Sequence, residues 1–280
     1  MKVSEALREA ARRLEATSDT ARLDAELLMA HALAVSRSDM LLRCTADPVP
    51  PAFAGLVERR AAHEPVAHIV GNQEFYGRSF RVTSDTLIPR ADSESVVEAA
   101  LAAAPNARRI LDCGTGTGAL LLTLLAELPE AEGIATDRSL GALAVAAANA
   151  ASLGLQDRAR ILHADWDEAG WAGDLGHFDL VISNPPYVEQ DAPLDRDVRE
   201  YEPAGALFAG AEGLDAYRVL VPQLPGLLVH NGVAVLEIGH TQADAVAEIA
   251  AQSGFTALRH HDLAGRPRAL ELRLGLGNAR

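Results

Sequence analysis

The sequence is poor in the features that mark several protein classes. No stretch approaches the ~18 consecutive apolar residues that a membrane span needs, although 49% of the 280 residues are hydrophobic. Cys44 and Cys113 are the only cysteines and lie far apart, which argues against a disulfide framework and fits a reducing compartment. Nine histidines are scattered without metal-ligand spacing, and the His260-His261 pair reads as surface. Lys2 is the only lysine; arginine carries the remaining positive charge, which reflects genome composition. The opening Met1-Lys2-Val3-Ser4-Glu5 has no basic stretch followed by an apolar one, so secretion is not expected. No repeat of roughly 20–50 residues is present.

What is there is a globular composition with an acidic excess. Twenty-five basic against 39 acidic side chains give a formal charge of −14. Free-standing nucleic-acid binders usually carry a basic surplus that neutralises phosphates, so that class is demoted. The length allows one large domain or two ordinary ones, in a chain expected to be cytoplasmic.

Periodicity predicts three parts. Residues 1–72 read as helical, a bundle too small to be stable without docking or a partner. Ser4 is placed to cap a helix carrying Leu7, Ala10, Ala11 and Leu14 on one face. Ser18 or Asp19 can cap a second with Leu23, Leu27, Ala30, His31 and Ala34. A shorter helix should follow Ser38, and Pro50-Pro51 should open another with Phe53, Leu56, Val57 and Arg60. Residues 73–90 cluster aromatic and β-branched side chains around Gly77, the pattern of a hairpin linker. From 91 to 280, strands and helices alternate. Strands are expected at 109–112, 133–136, 160–163, 178–183, 233–238, 256–260 and 269–274. Helices are expected at 94–103, 119–127, 140–152, 216–224 and 242–252. That alternation implies an α/β, doubly wound, mainly parallel sheet. The last two strands are joined by a loop too short for a crossover helix, so they should pair antiparallel.

The chemistry is concentrated at four strand ends. After Ile110-Leu111-Asp112-Cys113 comes a turn of Gly114, Thr115, Gly116, Thr117 and Gly118 that opens a helix at Ala119. Such a turn lets a ligand lie against bare backbone N–H groups at a helix N-terminus, though the dinucleotide pattern is satisfied too. Asp137 ends the next strand, where a carboxylate can accept both ribose hydroxyls; as an alternative it caps the following helix. Asp165 and Trp166 end the third strand; an acceptor and an indole suit an adenine, and core packing is the bland alternative.

The fourth strand runs into Asn184-Pro185-Pro186-Tyr187. The turn resembles the active-site motif of methyltransferases acting on planar amino groups, either exocyclic base nitrogens or glutamine amides. An amide nitrogen is a poor nucleophile because its lone pair is delocalised. The Asn184 side-chain oxygen and the Pro185 carbonyl can accept the two hydrogens of a planar –NH2, Tyr187 can pack on the planar group, and the two prolines stiffen the turn. No histidine or carboxylate is required as a base, although Asp191 is near in sequence.

With those motifs in place, the chain resembles the release factor glutamine methyltransferases (the PrmC/HemK family) along nearly its whole length. The resemblance includes Ile88-Pro89-Arg90 with Glu94, Gly213-Leu214-Asp215-Ala216-Tyr217-Arg218, Leu236-Glu237-Ile238-Gly239 and Asp262-Leu263-Ala264-Gly265-Arg266. It implies a Rossmann-like class I methyltransferase sheet of seven strands behind a helical substrate-recognition domain. It implies S-adenosylmethionine as cofactor, held by residues 114–118, Asp137, Trp166 and Asn184, with no metal. The implied substrate is the glutamine of the Gly-Gly-Gln loop of peptide chain release factors, held by Asn184, Pro185, Pro186 and Tyr187. It further implies a monomer without direct nucleic-acid or membrane binding. Ala91, Ser93, Cys113 and Pro267 depart from the usual family residues.

Two rival functions remain open at this level. An adenine-N6 methyltransferase on DNA or RNA would use the same Asn-Pro-Pro-Tyr turn, and a non-catalytic module could keep the fold and only sense the cofactor. Arg90 could meet the cofactor carboxylate or brace the linker. The acidic connection 188–203 reads equally as a lid or as a solvated loop. The −14 charge suits a protein substrate with basic surfaces.

Overall fold

The computed structural model describes residues 1–275; the end of the 91–280 segment lies outside them. The chain divides into two compact units: Met1–Asn72 together with Leu194–Tyr201, and Gln73–Pro193 together with the chain from Glu202 onward. Part of the acidic connection, Leu194–Tyr201, thus falls with the helical unit instead of the α/β one.

In the helical unit, α1 (Val3–Leu14), α2 (Ala21–Leu33), α3 (Arg37–Arg43), α4 (Phe53–Ala61) and α5 (Val66–Val70) surround one apolar core. Leu7 and Leu14 of α1 meet Leu28 and Met29 of α2, with Met40, Phe53 and Ile69 closing it. The expected cap at Ser4 is corrected: α1 begins two residues earlier, after Lys2. Its first free N–H groups are taken by distant carbonyls, Val3 to Asp47 and Ser4 to Thr45, both at 3.0 Å. Thr20, not Ser18 or Asp19, precedes α2, and Ser36 caps α3 by accepting from the Asp39 N–H at 3.0 Å.

Asp24 and Arg60 are buried together, 5% and 6% exposed, with Arg60 Nε donating to Asp24 Oδ2 at 2.7 Å. The hydroxyls of Ser18 and Thr20 donate to the same carboxylate at 2.7 and 2.9 Å. Arg60 also reaches Asp197 at 3.7 Å, and the Tyr201 hydroxyl donates to the Ala62 carbonyl at 3.0 Å. These contacts bind the helical turn Arg196–Tyr201 into this unit.

The second unit opens with a two-stranded hairpin, β1 (Asn72–Phe75) and β2 (Arg78–Arg81), turning at Tyr76 and Gly77, both at positive φ. A seven-stranded sheet follows: β3 (Arg109–Cys113), β4 (Glu132–Asp137), β5 (Ala159–His163), β6 (Phe178–Ser183), β7 (Leu228–Glu237), β8 (Phe255–His261) and β9 (Pro267–Leu274). Their order is β5-β4-β3-β6-β7-β9-β8. The first five are parallel, and β9 inserts antiparallel between β7 and β8, so the terminal hairpin forms with β8 at the edge. Alternate residues feed two cores: Ile110, Leu180 and Ile182 face one layer, Leu111, Cys113 and Val181 the other. Helices α6 (Glu94–Ala103), α7 (Ala119–Glu127), α8 (Leu140–Ser152), α9 (Asp215–Leu220) and α10 (Ala243–Gln252) cover the faces. The helix expected over 216–224 stops at Leu220 and continues as a tighter 3-10 turn, Val221–Gly226. Pro222 and Pro225 lack the N–H groups that would bond Arg218 and Val221 in an α-helix. Among the described residues no helix is long and apolar enough to cross a membrane.

Breaking a buried pair strands its other charge at a cost of about 3–5 kcal/mol. Arg60→Met should therefore lose stability on that scale in a urea titration of the full chain, and adding Asp24→Asn should recover part of it. A loss below about 1 kcal/mol, the range of an exposed ion pair, would reject this account.

Candidate active site

The carboxyl ends of β3, β4, β5 and β6 open onto one cavity of about 380 Å³, a size typical of small-molecule sites. Its wall carries Gly114, Thr115, Gly116 and Thr117, then Asp137, Asp165 and Trp166, then Asn184 and Pro186. Register brings them together, since Cys113 of β3 pairs with both Thr136 of β4 and Ser183 of β6. The next residue on each strand therefore emerges at one level. Ser183 Oγ donates to the Cys113 carbonyl at 2.6 Å and locks the end of β6 against the start of the glycine turn.

The turn is shaped by need. Gly114, Gly116 and Gly118 all have positive φ, the region that side chains with a Cβ avoid. Gly114 is also short of room, because a Cβ there would lie 2.9 Å from the Trp166 ring. The Gly114 and Thr115 N–H groups both donate to the Thr136 carbonyl at 2.9 Å, pinning the turn to β4. Gly118 lies outside the cavity wall and starts α7.

Asp137 accepts the Gly116 N–H through Oδ2 and the Ser139 N–H through Oδ1, each at 2.9 Å. The cap of α8 is Ser139, whose hydroxyl accepts from the Ala142 N–H at 3.2 Å. Each carboxylate oxygen of Asp137 has a further lone pair, and the residue is on the cavity wall. A vicinal diol could dock there.

Pro185 and Tyr187 do not line the cavity. Pro185 is buried in the turn, and Tyr187 folds inward with its hydroxyl donating to Glu237 at 3.3 Å. Asp191 is exposed and absent from the cavity wall. Arg90 lines the cavity and forms an ion pair with Glu202. Glu202 also accepts the Ile88 N–H at 3.2 Å, so it fastens the segment around Pro89 that forms the opposite wall. The acidic connection is tied at its base: the Val188 N–H donates to Leu207, and Ala209 returns a bond to Val188, at 2.8 and 2.9 Å. That makes it a pinned excursion in place of a free solvated loop.

Four residues of weight were not singled out from sequence: Asp112, Glu202, Glu237 and Gln242. Asp112 and Glu237 carry a signal, each being the one acid of its strand and directly following apolar residues. Burial pushes the Asp112 carboxyl up to about 7; the Thr115 hydroxyl, donating at 2.6 Å, opposes that rise and the Asp137 charge adds to it. No cluster of three or more His, Cys, Asp or Glu that could hold a metal occurs among the described residues.

Comparison with known proteins bears on this arrangement. Residues 5–71 match the family model of the PrmC N-terminal domain, and residues 92–200 that of the methyltransferase small domain. The release factor glutamine methyltransferase of Cereibacter sphaeroides is 46% identical over 282 residues, covering 98% of this chain and 99% of its own. Its counterpart from Bradyrhizobium diazoefficiens is 40% identical over 276 residues, covering 94% and 92%. Among solved structures, a methyltransferase from Pyrococcus furiosus aligns with a TM-score of 0.54 at 15% identity, over 80% of this chain and 100% of its own, a likeness of fold.

The state of Asp112 has a measurable consequence. In the unfolded chain its carboxyl loses its proton near the ordinary value of about 4. Between about pH 4 and 7 the folded state holds the extra proton, so this group's contribution to stability falls as pH rises through that window. Asp112→Asn removes the titration and keeps an acceptor for Thr115. The variant's calorimetric Tm relative to the parent should therefore rise between about pH 5 and about pH 8; a flat or shrinking difference would refute the assignment.

Proposed function

The chain belongs to the release factor glutamine methyltransferase family, and from that premise we propose that its target atom is N5 of the glutamine in the Gly-Gly-Gln loop of peptide chain release factors. The chain is an S-adenosylmethionine-dependent protein glutamine methyltransferase. Its cavity fits that cofactor. Asp137 offers paired acceptors to a ribose, Trp166 a flat apolar surface to a base, and Gly114 and Gly116 a stretch of wall without side chains. Thr115, Thr117 and Gly118 support the turn, and Asn184 closes the far side. When bound, the cofactor supplies a methyl group made electrophilic by its sulfonium.

The observation that carries the proposal is Asn184 sharing one cavity wall with Asp137 and the glycine turn. The Asn184 side-chain oxygen and the Pro185 carbonyl accept the two N–H bonds of the substrate amide, which holds its lone-pair face toward the cofactor side. Pro186 shapes the wall beside it, and Tyr187 completes the turn. Catalysis is then chiefly positioning, which alone can supply several kcal/mol. The partner is a release factor and not a nucleic acid, in keeping with the net charge of −14.

Incubation with a labelled methyl donor and a release factor, duplex DNA or tRNA tests this. Mass spectrometry should locate one added CH2 on a release-factor glutamine; labelling of nucleic acid alone would overturn the proposal. Asn184→Ala should lose turnover on the order of 100-fold while cofactor affinity changes far less. Asp137→Ala should instead weaken cofactor binding by ~1.5–3 kcal/mol for each charge-assisted hydrogen bond lost. Unchanged affinity for S-adenosylhomocysteine in calorimetric titration would reject the ribose role.

A further inference from the structure

The turn at 184–187 has a buried support behind it. Tyr187 is held at both ends: its hydroxyl donates to Glu237 Oε1 at 3.3 Å, and its carbonyl accepts from Gln242 Nε2 at 3.0 Å. Gln242 is itself fixed, donating to the Gly213 carbonyl at 3.1 Å and accepting the Gly239 N–H at 3.0 Å. Glu237 sits at the end of β7 with 1% exposure. Pairing of Ser183 with Leu236 puts Glu237 level with Asn184 on the neighbouring strand. The Tyr217 hydroxyl donates to the Glu237 carbonyl at 2.7 Å and fixes the backbone that carries it.

A carboxylate in this place is costly. Removing it from water costs several kcal/mol unless it is fully compensated; its second oxygen makes no well-formed hydrogen bond, although the Ser93 hydroxyl is close enough to favour the charge. Arg268 is near enough to favour the charge, yet its Nη2 is directed to Asp92 and Asp262 at 2.9 and 3.4 Å. Burial pushes the Glu237 carboxyl up to about 7 and raises the Tyr187 hydroxyl well above its ordinary value, so the phenol stays the donor. A leucine would suit the surrounding core of Leu236, Ile238 and Tyr217 better. Within the 184–187 turn, it is the Tyr187 hydroxyl that uses the acid.

We propose that Glu237 is a positioning residue for methyl transfer: by accepting the Tyr187 hydroxyl, while Gln242 holds the Tyr187 carbonyl, it fixes the turn that presents Asn184 and Pro185 to the glutamine amide. This rests on the assignment of that turn to the amide. Tyr187 then contributes through the rigidity of the turn, and misplacement of the acceptors by about 1 Å is enough to cost on the order of 100-fold in rate.

A double-mutant cycle tests it, with kcat and KM for a release factor and the dissociation constant for S-adenosylhomocysteine measured in parallel. Glu237→Leu and Tyr187→Phe should each lower kcat by roughly 10- to 100-fold, with cofactor affinity held within about twofold of the parent. The double variant should be no slower than the slower single, because both remove the same bond. Glu237→Gln, which keeps an acceptor, should recover most of the loss seen with leucine. Losses that multiply in the double variant would overturn the clamp, as would a glutamine variant as slow as the leucine one. So would cofactor affinity that falls as far as turnover. If Glu237→Leu fails to fold, the cycle runs on Tyr187→Phe and Glu237→Gln, and glutamine should add nothing in the phenylalanine background. A parent enzyme that leaves release-factor glutamine unmodified would overturn the underlying function; an active parent with multiplying losses overturns the clamp alone.

Discussion

At the centre of the sheet, Cys113 of β3 lies opposite Thr136 of β4 on one side and Ser183 of β6 on the other. That double register is the constraint on which the site depends. Parallel strands end at the same edge, so the residues that follow them gather above it. Gly114, Asp137 and Asn184 each stand one step beyond this row, and the pairing of Ser183 with Leu236 adds Glu237 to it. A slip of one residue in any of these ladders would exchange the side chains that feed the two cores and move the functional residue off this row. The hydrogen bonds from Gly114 and Thr115 to the Thr136 carbonyl, and from Ser183 to Cys113, make such a slip costlier.

The distribution of acids follows from the same arrangement. Most of the 39 acidic side chains are on the surface, where water screens them. Asp112 and Glu237 are exceptions, buried at the ends of β3 and β7, and burial lifts both to about 7. Each is tied to a part of the site by a hydroxyl donor, Asp112 through Thr115 of the glycine turn and Glu237 through Tyr187. Asp137 is different in kind: it faces the cavity and engages only backbone N–H groups of its own unit. The same type of side chain therefore serves as a buried brace at these two points of the site and as an open acceptor at a third.

Much of this was legible in the sequence because it depends on local pattern. The helices at 94–103, 119–127 and 140–152 form over those residues, and strand 178–183 likewise, since apolar periodicity and glycine punctuation are short-range signals. The glycine turn, Asp137 and Asn184 were readable because each directly follows an apolar strand. What stayed hidden depends on partners far along the chain. Ser4 does not cap α1 because Thr45 and Asp47 take its free N–H groups. The brief helix α5, only Val66–Val70, is too short for periodicity to reveal. The sequence leaves Arg90 between two roles, because its pairing with Glu202, 112 residues away, has no local mark. Local pattern suggests that Tyr187 packs on a planar substrate group; only Glu237, 50 residues later, shows its hydroxyl turned inward.

The helical unit is not continuous in sequence: its segment Leu194–Tyr201 is spelled out only after β1 to β6 of the other unit. A ribosome releases residues in order, so the first 72 emerge complete in their apolar core but without the turn that carries Asp197 and Tyr201. Until then Arg60 lacks its second carboxylate and the Ala62 carbonyl lacks its donor. The helical unit therefore reaches its final form only after six strands of the other one have been translated. Folding of the two units is coupled in time by the route of the chain.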